Sequence, residues 1–147
     1  MTKQPALEKS QLQVGKTPRT AFDPGSFYKR NPSWRVRRVE LVDPFGWHAL
    51  DKGKLTEVRQ KLANFESMTW SDILVRAKNQ NHAVRVQQLC SQARKRLAQM
   101  GLDEFEDLVS LRLSARERVW GILAEGVLEL LWWDPDHKVC PSLPRNT

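Results

Sequence analysis

The sequence predicts an α+β fold. An N-terminal strand and two or three helices should pack on one face of an antiparallel sheet that ends in a three-stranded meander. Residues 34–42 are rich in β-formers, and residues 51–101 carry apolar side chains at helical spacing. Residues 108–133 switch to a period of two, broken by short turn-like links. Helices gathered ahead of one meander argue for a helix layer on a sheet. The 147 residues suit one domain, and a hydrophobic fraction of 40% is a globular value.

Residues 1–33 are polar, contain Pro5, Pro18, Pro24 and Pro32, and show no hydrophobic period. They read as a flexible basic arm, in which Phe22, Phe27 and Tyr28 could still pack locally. Residues 34–140 form the single α+β domain, and residues 141–147 are a tail. Trp34 to Val42 reads as the first strand and stops at the turn Asp43-Pro44-Phe45-Gly46. Its alternation is imperfect: Trp34 and Val36 oppose Val39 and Leu41, as in a bulged strand or one covered on both faces.

Asp51 can cap a helix whose stripe is Leu55, Val58, Leu62 and Phe65. Thr69 restarts a short helix with Asp72 as its capping-box partner, turning Trp70, Ile73 and Leu74 inward. Residues 78–82 are a polar break. From Arg85 a third helix is expected, with Val86, Leu89, Cys90, Ala93 and Leu97 on one side and Gly101 closing it. Leu108–Leu113, Arg118–Leu123 and Val127–Trp133 are the meander strands, ended by Asp134-Pro135 because proline cannot continue a central strand.

The net charge of +7 permits a polyanionic partner without naming it. Residues 1–33 hold +4 of it and the remainder only +3. Residues 1–16 lack the apolar core of a signal peptide, and no stretch nears the ~18–20 apolar residues of a bilayer span. No membrane association is expected. Cys90 and Cys140 have neither metal-ligand nor redox-motif spacing, so a reducing cytoplasm is the default. Phosphate-loop, dinucleotide, zinc-protease and nucleophile-elbow motifs are all missing. The three histidines are far apart in sequence and the carboxylates scattered, so neither a metal nor another cofactor is expected.

Two regions could carry chemistry. Residues 74–100 hold Arg76, Lys78, Arg85, Arg94, Lys95 and Arg96 with no acid. On a helix, Arg85, Gln88, Gln92 and Lys95 or Arg96 would share the side opposite the apolar stripe. This is either a phosphate-binding face or a solvated one. The meander carries Arg112, Arg116, Arg118, Trp120, Trp132, Trp133, Asp134, His137 and Lys138. RNA cleavage through the 2′-OH needs a base, an acid and cations for the charge that builds on phosphorus. Histidine, arginine and tryptophan suit proton transfer, phosphate contact and base stacking respectively. The competing reading places the tryptophans in the core and His137 in an ordinary turn. His82 reads as a loop or capping residue, with nucleotide contact as the alternative.

Ser110-Leu111-Arg112-Leu113, Arg118-Val119-Trp120-Gly121 and Leu130 to His137 together resemble the C-terminal β-hairpins of RelE/ParE-like toxins of bacterial type II toxin–antitoxin modules. The stretch Gln87–Leu97 resembles that family's second helix. The resemblance covers roughly residues 50–138. It implies a compact sheet with helices on one side and, in its ribonuclease branch, metal-independent cleavage of mRNA, usually on the ribosome. By that resemblance Arg112 and Arg118 are the strand arginines and His137 the late catalytic histidine. Lys138, Arg116, Trp133 and Lys95 would help hold RNA, and a cognate antitoxin would cover the face. The chain departs from the pattern in its long arm and in having its only tyrosine, Tyr28, within that arm. The ParE branch, which inhibits DNA gyrase without cutting RNA, is the alternative, as is a small basic binding module.

Overall fold

The computed structural model describes residues 26–141. Residues 1–25 of the basic arm, with Phe22, and residues 142–147 of the tail lie outside them. Five strands form one sheet in the order β1-β5-β4-β3-β2. They are β1 (Ser33–Arg35), β2 (His82–Arg85), β3 (Asp107–Arg112), β4 (Arg118–Ala124) and β5 (Val127–Asp134). β1 lies parallel to β5 and every other pairing is antiparallel, so β3-β4-β5 is the predicted meander. The helices are α1 (Lys52–Glu66) and α2 (Ser91–Gln99), with a π-helical turn at Asp72–Arg76. The α+β class, the leading strand and the meander are therefore as the sequence predicts.

The helices are divided between the two faces of the sheet instead of sharing one. Ala93 and Leu97 of α2 join Leu108, Trp120, Ile122, Leu131 and Trp132 in one cluster. Val58 of α1, Trp70 and Ile73 join Val109, Leu111, Val119, Leu130 and Trp133 in the other. A bulge makes this arrangement possible. Trp120 pairs with Trp132 but Gly121 pairs with Leu130, which leaves Leu131 as an extra residue in β5. Leu128 and Leu130 point toward α1. Past the bulge the parity flips, so Trp132 points toward α2 and Trp133 toward α1.

The bulge also accounts for the short first strand. β1 pairs only with residues 127–129. The chain then turns, with the Val39 amide donating to the Val36 carbonyl at 3.0 Å, and rejoins the edge of β5 beside the bulge. There the Glu40 amide and the Trp47 indole both donate to the Leu131 carbonyl, and the Trp133 amide donates to the Phe45 carbonyl. The predicted strand over 34–42 thus splits into a three-residue strand and an irregular edge whose Val36 and Leu41 are exposed.

Local signals account for the helix ends. The Asp51 carboxylate accepts from the Lys54 amide at 2.8 Å. Thr69 and Asp72 exchange reciprocal bonds of 3.0 and 3.1 Å, a complete capping box. Leu102 and Gly101 donate to the Leu97 and Ala98 carbonyls, closing α2 in a Schellman arrangement. The expected third helix starts late. His82–Arg85 is an edge strand against β3, and Val86–Gln88 is a 3-10 turn that precedes α2. Of the predicted α1 stripe, Val58 is buried and Leu55 is exposed. Residues 26–33, grouped with the arm by composition, pack on the α1 side, where Phe27 meets Trp70 edge-on.

A β-carbon on Gly121, opposite the bulge, would stand 2.5 Å from the Glu129 carbonyl oxygen and 3.0 Å from Leu128 Cγ. Gly121→Ala should therefore cost about 1–3 kcal/mol, the range for overpacking a core. Gly53 in α1 has only Asp51 Oδ1 nearby, at 3.6 Å. Gly53→Ala should be neutral or stabilising by up to ~1 kcal/mol. Urea midpoints of the two variants measured side by side check both values, and equal midpoints would contradict the packing argument.

Candidate functional site

Four strands end or begin at the same edge of the sheet. Arg112 of β3 pairs with Arg118 of β4, which pairs with Asp134 of β5. One step further in, on the same face, His82 of β2 pairs with Ser110, Ser110 with Trp120, and Trp120 with Trp132. These two rows face the α2 side because strand side chains alternate.

Asp134 organises the row. It is 1% exposed, and its carboxylate accepts three bonds. The donors are the Trp120 indole at 3.1 Å, the Lys138 amide at 2.8 Å and the Val139 amide at 3.0 Å. The two amide bonds fold residues 135–139 back over the strand ends. His137 sits in that fold with φ 58, a left-handed conformation uncommon for a side chain other than glycine.

His137 is half-buried, and its pKa lies below the ordinary 6.5 of histidine. Burial is the largest cause, followed by repulsion from the Arg118 cation. Asp134 opposes the shift, while His82 and Arg112 add to it. His82, Arg112, Arg118 and Asp134 therefore all lie close enough to His137 to act on its charge. Arg118 is itself held below its ordinary value by burial, then by Arg112, against the pull of Asp134.

The predicted residues divide into those the fold gathers and those it separates. His137, Arg112 and Arg118 come together. Arg118 is 9% exposed, and its Nη1 donates to the carbonyls of Ser114, Ala115 and Glu117. It ties the β3–β4 loop and supplies positive potential from within. Arg112 is exposed, with its Nε donating to the Ser114 carbonyl at 3.2 Å. It borders a cleft lined by Lys61, Asn64, Phe65, Met68 and Leu113. Lys138 is exposed beside His137 in sequence. Arg116 is exposed and paired with Asp136 at 3.2 Å, which links the β3–β4 loop to the His137 turn.

Trp133 offers no stacking face. It is 3% exposed, and it packs toward α1 against Trp47, on the opposite side of the sheet from Asp134. Trp120 and Trp132 are core as well. Lys95 is exposed on α2 and is not among the charges that act on His137. The basic helical face is also reduced by pairing, since Arg96 holds Glu40 through two bonds and Arg85 lies 3.8 Å from Asp107.

His82, which the sequence reads as a loop or capping residue with nucleotide contact as the alternative, opens strand β2 instead. Its ring Nδ1 lies 3.3 Å from the Lys78 carbonyl oxygen, which can only accept, so this is a hydrogen bond when Nδ1 carries the proton. Its signal in the sequence was Ala83-Val84 flanked by charge, a short edge strand. Pairing that strand to β3 is what sets His82 near His137. Two imidazoles, one outward arginine and one buried arginine can exchange protons with, and hold, a phosphate group. Among the described residues, no three His, Cys, Asp or Glu side chains converge as a metal cage, and no helix is long and apolar enough to cross a membrane.

Comparison of the chain with protein-family models, curated proteins and solved structures finds no match. The likeness to RelE/ParE-like toxins therefore rests on the sequence pattern of residues 87–97 and of the meander alone. The division of helices between both sheet faces departs from the one-sided arrangement that likeness implies.

With its pKa lowered, folded His137 binds fewer protons near pH 6 than it does in the unfolded chain. Its contribution to stability is therefore complete above about pH 6.5 and declines as pH falls toward the folded value. NMR titration should find the His137 midpoint below 6.5. Arg112→Ala should raise that midpoint and Asp134→Asn should lower it. A midpoint that ignores both changes would place these charges too far away to matter.

Proposed function

We propose that the chain is the toxin component of a bacterial type II toxin–antitoxin module, acting in the cytoplasm as a metal-independent endoribonuclease on mRNA. The observation that carries the reading is the gathering of His137, His82, Arg112 and Arg118 at one end of the sheet. The toxin assignment rests on the resemblance of the meander, and the chemistry rests on this cluster.

In the proposed reaction Arg112 holds the scissile phosphate from the solvent side. The buried Arg118 adds positive potential as charge builds on phosphorus. His137, kept neutral near pH 7 by burial and by neighbouring cations, takes the proton of the 2′-OH. The 2′ oxygen attacks phosphorus and the bond to the 5′ oxygen breaks. His82, entering as imidazolium with Nδ1–H on the Lys78 carbonyl, gives that oxygen its Nε2 proton and is left neutral. The products are a 2′,3′-cyclic phosphate and a 5′-hydroxyl end. Trp133, a core residue, does not fill the stacking role that the sequence suggested. An acidic antitoxin segment would cover the same end.

The non-catalytic alternative, a gyrase inhibitor or binding module, needs the basic helix as its docking face. Arg85 and Arg96 already face Asp107 and Glu40, so the cleavage reading has the better support.

The full chain should stop translation in an extract and cleave its mRNA equally with and without EDTA. His137→Ala and His82→Ala should each slow cleavage at least ~100-fold, and Trp133→Phe should leave its rate within a few-fold of the parent. Full cleavage by both histidine variants, or growth arrest with intact mRNA, would overturn the reading.

A further inference from the structure

Cys90 and Cys140 lie 50 positions apart in the sequence and outside the proposed reaction, yet the fold sets them beside each other. The Cys90 amide donates to the carbonyl of Val139, the residue before Cys140, at 2.8 Å. A backbone bond of this kind holds two chains at about the 5 Å spacing of neighbouring strands. Cys140 is the next residue along, and a disulfide bridges Cα separations of ~4.4–6.8 Å. Both side chains pack against the α2-side core. The Cys140 thiol donates to the Gln88 carbonyl at 3.5 Å, two residues before Cys90. The Cys90 sulfur accepts from the Ala93 amide at 3.4 Å as the cap of α2. Both are free thiols and both are partly accessible.

We propose that Cys90 and Cys140 form a reversible intrachain disulfide when the chain meets a low-molecular-weight disulfide such as oxidised glutathione. Cys90, whose sulfur caps α2, attacks first. Its sulfur bonds to one glutathione sulfur, the glutathione S–S bond breaks, and the first glutathione leaves as thiolate. Cys140 then loses its proton and attacks the Cys90 sulfur, and the second glutathione leaves. The two protein thiols are oxidised, glutathione disulfide is reduced to two thiols, and the two protons end on those thiols. The neighbouring Cys90 and the burial around Cys140 keep the latter mainly protonated, which fits the resolving role.

The bond would close a loop containing the three meander strands β3, β4 and β5. It would also fasten residues 135–140, the turn that carries His137, to the start of α2. Oxidation should therefore stiffen that turn, whether or not the turn acts on RNA.

The test exposes the folded full chain to oxidised glutathione and follows intact mass, free thiols and Tm. The parent should lose two hydrogens and both thiols, stay monomeric, gain roughly 10 °C in Tm and revert with dithiothreitol. Cys90→Ser keeps a good helix cap, and with Cys140→Ser it should lose the two-hydrogen change and the Tm gain. Cys140→Ser should stop at the mixed disulfide with glutathione. A parent that retains bound glutathione, forms disulfide-linked dimers, or keeps both thiols while folded would overturn the proposal. These readouts need no RNA, so they stand apart from the test of cleavage.

Discussion

One extra residue in β5 decides how the two halves of the structure fit together. Without Leu131 as a bulge, strict alternation would carry the side chains that follow Leu128 and Leu130 on toward α1 at positions 132 and 134. The bulge transfers those positions to the α2 face. Trp132 then completes the α2-side core beside Phe45, and Trp133 completes the α1-side core. The extra backbone carbonyl at Leu131 is not left bare, because the Glu40 amide and the Trp47 indole both donate to it. A bulge normally leaves a gap in the ladder. Here the irregular segment after β1 fills it. Gly121, directly across, supplies the room for the backbone displacement.

The same parity change brings Asp134 under the Trp120 indole. A buried carboxylate is costly unless its oxygens are satisfied, and Asp134 meets that requirement with one indole and two amides. Those amides belong to the turn that carries His137, so the bonds that make the buried charge tolerable also set the position of the imidazole. Arg118 stands across the strand pair from the carboxylate, and its guanidinium is committed to the carbonyls of the β3–β4 loop. The site is therefore two anchored groups, Asp134 and Arg118, with His137, His82 and Arg112 arranged around them. Positive neighbours and partial burial lower the His137 pKa in the free site. A phosphate bound there would reverse part of that effect, since an anion favours the protonated ring.

Much of this was legible before any coordinates. The three meander strands are bounded by Pro135, the Ser114–Glu117 link and the Glu125-Gly126 turn, and each matches its predicted span to within one residue at either end. Asp51, the Thr69–Asp72 pair and Gly101 mark helix ends because capping is a local interaction. The missed features all depend on distant partners. His82–Arg85 is a strand only because β3 lies beside it. The helical spacing of Val86, Leu89, Cys90, Ala93 and Leu97 runs through that region and hides the boundary. Division of the helices between faces follows from the bulge, which a period-two pattern ending in Leu130-Leu131-Trp132-Trp133 cannot locate. Arg112, Arg118 and His137 could be grouped from the sequence because a short meander keeps them near one another. His82 was weighed on its own but not placed beside them, because that placement is set by strand pairing across the whole length of α2.

The charge of the chain takes on a different meaning once its partners are known. Arg37 and Arg38 both face Glu129, Arg96 holds Glu40, Lys54 holds Glu117 and Arg116 faces Asp136. Each of these pairs joins separate parts of the fold, so the cations serve the architecture more than the surface field. Exposed pairs of this kind contribute little individually to stability, but they remove cations from the set available to a polyanion. The basic stretch at 74–100, conspicuous in the sequence, loses Arg76 to Asp72 as well as Arg85 and Arg96. Arg112 forms no ion pair among the described residues, and it lies beside an imidazole whose proton affinity the site has already adjusted. Local field at that one end, and not the excess of +7 over the chain, is what would distinguish a phosphate that reacts from one that is merely attracted.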